Sequence, residues 1–171
     1  YDVTYDSSLI EGEFKNKLHF KIVYSSTCPC SATLSRQKVQ EHFKACFAPT
    51  DPNVKIPAKE IYAWLGEEKN TTATPHSQRS VASISLDIQD TENFCIDKVI
   101  LSIEEALQTP VQGAVKRSDE QMFAERNAKN LMFAEDAARR IKNTLAKTDH
   151  LHGFSVKVSH QESLHPHNAE A

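Results

Sequence analysis

From Phe14 to Tyr24 the even positions Phe14, Leu18, Phe20, Ile22 and Tyr24 are apolar, and Lys15, Lys17, His19 and Lys21 between them are not. A period of two sends alternate side chains to opposite faces of an extended chain, so this run predicts an antiparallel strand buried on one side. His19 falls on the wet side. The period returns within Arg79 to Asp90, where Ala82, Ile84, Leu86 and Ile88 alternate with Ser83, Ser85, Asp87 and Gln89, and again at Phe154, Val156 and Val158. Tyr1 to Tyr5 alternates as well, and Ser7 to Glu13 can turn the chain so that the first two strands pair as a hairpin.

A sheet with one apolar face needs a cover, and the rest of the chain supplies it. Leu34, Val39, Phe43 and Phe47 suit one amphipathic helix, and Ile96, Val99, Ile100, Ile103 and Leu107 suit another that Pro110 and Gly113 close. Ser118 with Gln121 resembles a capping box opening a helix through Met122, Phe123 and Arg126. Phe133, Ala137, Ile141 and Leu145 share one face of a further helix. The expected fold class is α+β, an antiparallel sheet with helices on one face.

At 171 residues the chain fits one domain, expected over 1–171, with an exposed excursion over 48–75. Pro49, Pro52 and Pro57 open that excursion, Asn70-Thr71-Thr72 stands near its end, and Ala58 to Leu65 suits a short helix inside it. Trp64 is expected to pack this segment onto the body. The formal charge of −3 argues against a broad basic face for nucleic acid, and no apolar run reaches the length of a membrane helix. A cytoplasmic protein is expected. The chain starts on Tyr1 without a methionine and ends soon after its last strand, which suggests part of a longer protein.

Four polar motifs stand at strand ends or helix starts. Ser26-Thr27-Cys28-Pro29-Cys30-Ser31 follows the first long strand, Pro75-His76-Ser77-Gln78-Arg79-Ser80 enters the second, Lys116-Arg117-Ser118-Asp119-Glu120 opens a helix, and Glu162-Ser163-Leu164-His165-Pro166-His167 follows the last strand. Thiolate, imidazole and carboxylate are what zinc or another borderline divalent ion accepts, and three protein ligands leave a place for water. Cys28 and Cys30 flank one proline and are poor disulfide partners for each other, whereas Cys46 and Cys95 sit among apolar residues and are expected as small buried side chains. His42, His150, His152 and His160 are expected in surface or hydrogen-bonded polar roles.

These motifs, with Phe133-Ala134-Glu135-Asp136, resemble the prokaryotic type IB GTP cyclohydrolases of the tunnelling fold, over nearly the whole chain and in the same order. The resemblance implies conversion of GTP and water to 7,8-dihydroneopterin triphosphate and formate, the entry to folate-type pterins. It implies a divalent metal, zinc, manganese or ferrous iron, held by Cys28, His76 and Glu120. It implies Glu135 against the guanine edge, Gln78, Arg79 and Ser80 toward substrate, and His165, His167 and Cys30 as catalytic groups. It also implies a homo-oligomer, a tetramer, with sites closed between subunits. Against the family, a portion of the amino-terminal half is missing, and the excursion is longer than the short link usual between the cysteine and histidine motifs. Two other readings stay open: a nitrile reductase of the same fold with Cys28 or Cys30 as nucleophile, and a non-catalytic protein in which Cys28, Cys30, His76 and His165 close a structural metal site.

Overall fold

The computed structural model describes residues 1–47, 53 and 55–171. Residues 48–52 and 54, with the first two prolines of the expected excursion, lie outside them. The chain forms two compact units, one of Tyr1–Thr27 with Ser77–Ala171 and one of Cys28–His76.

The first unit is built on a five-stranded antiparallel sheet in the order β1 to β5. β1 is Val3–Ile10, β2 Glu13–Thr27, β3 Ser77–Ile88, β4 Leu151–His160 and β5 Ala169–Glu170. β1 and β2 form the expected hairpin, closed through Glu11 and Gly12 at positive φ of 53° and 85°. Two consecutive left-handed residues match the twist of the flanking strands, and the glycine takes the second of them without a Cβ clash. In β2 and β3 the alternation is obeyed: Leu18, Phe20, Ile22, Tyr24, Ala82, Ile84, Leu86 and Ile88 are all buried. Phe14 departs from it and is 72 % exposed, at the hairpin end where its partner is Leu9, itself exposed.

Three helices of this unit follow the strands: α3 (Ile96–Leu107), α4 (Arg117–Lys129) and α5 (Ala134–Leu145). Val99, Ile100, Ile103 and Leu107 of α3 and Ala134, Ala137, Ile141 and Leu145 of α5 join the apolar sheet face in one core. At about 25 cal/mol per Å² of apolar area, that burial is the main term holding the sheet to its helices. The opposite face stays open to water, with a shallow cavity of about 480 Å³ lined partly by His19, Lys21, Ser83, Ser85, Ser155 and Lys157. His19 faces Asp6 there at 3.3 Å.

Two helix starts differ from expectation. α4 begins at Arg117, and Asp119, rather than Gln121, closes its first turn by accepting the Lys116 N–H at 3.0 Å. α5 begins after Phe133, which is 43 % exposed at the cap position and not on the buried face, with its N–H donated to Asp136 at 3.0 Å. In both, a carboxylate in the third helical position satisfies an orphan N–H, a stronger local signal than the apolar residue beside it.

The second unit carries α1 (Pro29–Phe47), α2 (Ala58–Gly66) and a 3₁₀ turn at Glu68–Asn70. α1 starts five residues before the expected helix, because Pro29 fits the first helical position. Leu34 is 61 % exposed instead of packing, and the buried residues of α1 are Ala32 and Ser35. Trp64 is buried within this unit, with ring contacts to His42, Phe43 and Phe47 of α1. Cys46 and Cys95 are exposed, not buried: Cys46 lies on the wet side of α1 and Cys95 caps α3 rather than sitting within it.

Candidate functional site

The two units each hold part of the expected constellation. In the second unit Cys28 is the residue before α1, its carbonyl accepting the Ala32 N–H at 3.0 Å, and Cys30 is in the first turn, exposed. The His76 backbone N–H donates to Ser31 Oγ at 3.2 Å, which sets His76 beside that same helix start. One thiol and one imidazole of the expected ligand set therefore belong to one local structure, since the chain leaves β2 at Cys28 and returns through His76.

In the first unit the strand parity separates residues that adjoin in sequence. Gln78 and Ser80 share the buried parity of β3, while Arg79 has the opposite, exposed one. Arg79 lines a cavity of about 240 Å³ together with Val111, Gln112, Val115, Glu120 and Phe123. That cavity joins an expected substrate residue to the expected metal carboxylate. On the buried side, Ser80 Oγ meets Ser26 Oγ at 2.7 Å, Thr27 Oγ1 meets Ser77 Oγ at 2.8 Å, and Gln78 Nε2 donates to Glu162 at 2.9 Å.

Glu135 is exposed in the first turn of α5. His165 and His167 are exposed in the loop 161–168, their rings stacked at 5.4 Å and 16°. That loop is closed at its base. β5 pairs back through His160↔Ala169 and Ser159↔Glu170, Gln161 N–H donates to Arg79 O at 3.1 Å, and Glu162 N–H donates to Asn168 Oδ1 at 3.3 Å.

Sequence reasoning gave Glu162 and Tyr24 no individual role, and for His160 it expected a surface or hydrogen-bonded polar one without a partner. Glu162 is half-buried and held by Gln78, and Tyr24 Oη lies 2.8 Å from His160 Nε2, with Tyr24 at 0 % and His160 at 3 % exposure. The signal was available: His160 has the same even parity as Phe154, Val156 and Val158, so the strand turns it inward. Burial holds the Tyr24 phenol well above its usual range, opposed by Arg140, so the phenol stays protonated. Burial pushes the His160 imidazole down, outweighing the pull of Glu162, Glu135 and Asp136, so the ring is held neutral.

Among the described residues, no three His, Cys, Asp or Glu side chains converge as a metal group. Cys28 and His76, in the second unit, are two of the three donors that a catalytic zinc centre takes.

An antiparallel sheet with helices on one face and polar groups at its strand ends is consistent with the tunnelling fold that the sequence motifs imply. Within that class, the chain belongs to the family described as type I GTP cyclohydrolase folE2, whose model matches residues 1–171. It is 44% identical over 171 residues to "GTP cyclohydrolase FolE2" of Hydrogenovibrio crunogenus, covering 100% of this chain and 54% of that protein. It is 50% identical over 175 residues to the protein of that name from Acinetobacter baylyi, covering 100% and 56%, and 49% identical over 160 residues to the one from Bdellovibrio bacteriovorus, covering 93% and 51%. The chain spans about half the length of the curated relatives it matches.

Proposed function

We propose that this chain carries the chemistry of a metal-dependent GTP cyclohydrolase, turning GTP and water into 7,8-dihydroneopterin triphosphate and formate. The observation that carries this reading is the family match across residues 1–171, joined to relatives named GTP cyclohydrolase FolE2. Its setting is proposed to be the cytoplasm, where GTP is made; among the described residues no helix is long and apolar enough to cross a membrane.

Cys28, His76 and Glu120 are the proposed ligands for zinc, manganese or ferrous iron. Cys30 is proposed as a second thiol at the site. Arg79 is the proposed triphosphate contact, supported by its exposed parity and its cavity with Glu120. Gln78 and Ser80 are proposed to act from the other face of the strand. For the guanine edge, Glu135 is the carboxylate that the family resemblance suggests, and the hydrogen bond from Gln78 favours Glu162 as a second candidate. Either could accept from the ring N–H and the exocyclic amine, whereas a glutamine there would present a donor to donors. His165 is the proposed proton-transfer group and His167 its support, both being exposed imidazoles, side chains able to give and take a proton.

Homo-oligomerisation is part of the same proposal. β1 carries Val3, Tyr5, Leu9 and Ile10 exposed along a sheet edge, the kind of edge that pairs with another chain. A tetramer by light scattering is expected, and a monomer at micromolar concentration would count against it.

The test of the metal assignment is metal content and turnover in Cys28→Ala and His76→Ala. Loss of both, with circular dichroism unchanged, is expected; full metal and full turnover in either variant would remove that residue from the site.

A further inference from the structure

The loop 161–168 holds Glu162, His165 and His167, and everything that fixes it lies at its base. There the chain bends out of β4 immediately after His160, a residue that the proposed chemistry leaves unused. His160 stands opposite Ser80 in the β3 and β4 pairing and opposite Ala169 in the pairing with β5. Its ring enters the core and meets Tyr24 of β2 edge-on, with ring centroids 5.7 Å apart and planes at 74°. Tyr24 in turn lies across the sheet from Ser80, since the two are paired in the β2 and β3 register. The ring of His160 therefore links β4 to β2 across β3 at the point where the loop departs.

A buried phenol must find an acceptor, and Nε2 of His160, in the tautomer with its proton on Nδ1, is the one 2.8 Å from Tyr24 Oη. That bond fixes the rotation of the His160 ring at the last residue of β4, directly before Gln161 and Glu162. Gln161 then donates its N–H to Arg79, and Glu162 comes to rest accepting from Gln78. We propose that His160, seated on Tyr24, is a positioning residue that sets the loop 161–168 and holds Glu162 against Gln78. The charged groups facing this pair are Glu135, Asp136 and Arg140 from α5 and Glu162 from the loop itself. Protonating His160 removes the acceptor for the phenol, so acid should loosen the loop before it unfolds the sheet.

The proposal rests on the GTP reading, and the test separates the two. Three variants serve: His160→Gln, whose side-chain oxygen can still accept from Tyr24 but cannot titrate; His160→Leu, which cannot accept; and His160→Leu with Tyr24→Phe, which removes both polar groups. The first measurement is amide hydrogen exchange of Glu162 in the whole chain, without ligand. Exchange faster by about tenfold is expected in His160→Leu, with core amides of β3 unchanged and His160→Gln near the parent. The second is GTP affinity by calorimetry across pH 5.5 to 8, two values that bracket the usual imidazole range near 6.5. Affinity in the parent should fall toward the acid end, and His160→Gln should flatten that fall while binding normally at the alkaline end. Parent-like exchange at Glu162 in a folded His160→Leu would overturn the proposal. Where His160→Leu does not fold, the double variant takes its place. If the parent chain binds no GTP, the functional reading fails, and the exchange measurement still decides the role of His160.

Discussion

His160 is lost to a reading of the sequence that asks only what stands next to a residue, because its partner Tyr24 is far away along the chain and two strands over, beyond β3. Its effect on stability has a definite sign. Burial depresses its proton affinity in the fold below the unfolded value of about 6.5, so the unfolded chain binds the proton more readily. The associated stability is present above that pH and is lost as pH falls toward the folded value. Denaturant midpoints measured from pH 7.5 down to 5 should drop in the parent, and the drop should shrink in His160→Gln; equal slopes would contradict the assignment. A second residue-scale expectation concerns His165. If it transfers a proton, His165→Ala should keep metal and GTP but lose roughly 10²- to 10⁴-fold in single-turnover rate, with His167→Ala less affected. Near-normal turnover with full metal in His165→Ala would leave the pair as a polar turn only.

The elements were the most legible part of the chain, and the reason is periodicity. Every long strand and every core-facing helix of the first unit carries its own repeat, and burial follows it through Ile22, Ile84, Ile103 and Ile141. What escaped was set by contacts between distant parts. β5 has two residues and no pattern of its own, and exists because β4 offers it an edge. Cys46 and Cys95 sat among apolar letters but face water, because local composition does not say which way a side chain points. Asn130 belongs to this second kind. Buried between α4 and α5, it donates to Leu107 O at 2.7 Å and to Thr109 Oγ1 at 3.3 Å while accepting from Arg140 at 2.7 Å, and so joins the end of α3 to α5. Asn130→Ala would leave the Leu107 carbonyl with only the longer bond from Thr109 Oγ1 at 3.3 Å and remove the acceptor for Arg140, and should cost roughly 1–3 kcal/mol in urea denaturation. Ile103→Ala, fully buried in the same core, should cost about 2–5 kcal/mol through lost burial and the cavity left behind. A smaller loss at Ile103 than at an exposed control such as Leu101 would contradict the packing described.

At the scale of the whole molecule, the sequence motifs state which groups the chemistry needs, and the fold distributes them. Cys28 and His76 belong to the second unit; Gln78, Arg79, Glu120, Glu162 and the loop histidines belong to the first. The motif order was readable because each motif is short and contiguous. The division of Gln78 from Arg79 between opposite faces of one strand follows from the alternation, which also predicts unlike effects: Arg79→Ala should weaken binding of GTP more than of guanosine, while Gln78→Ala should weaken both alike. The most direct test of the central claim is to incubate the purified chain with GTP and, in turn, zinc, manganese and ferrous iron, and to measure formate together with fluorescent pterin after oxidation. Formate and pterin in equal amounts, requiring metal and absent from Cys28→Ala, are the predicted result. A folded, metal-loaded chain that releases neither product from GTP would contradict it.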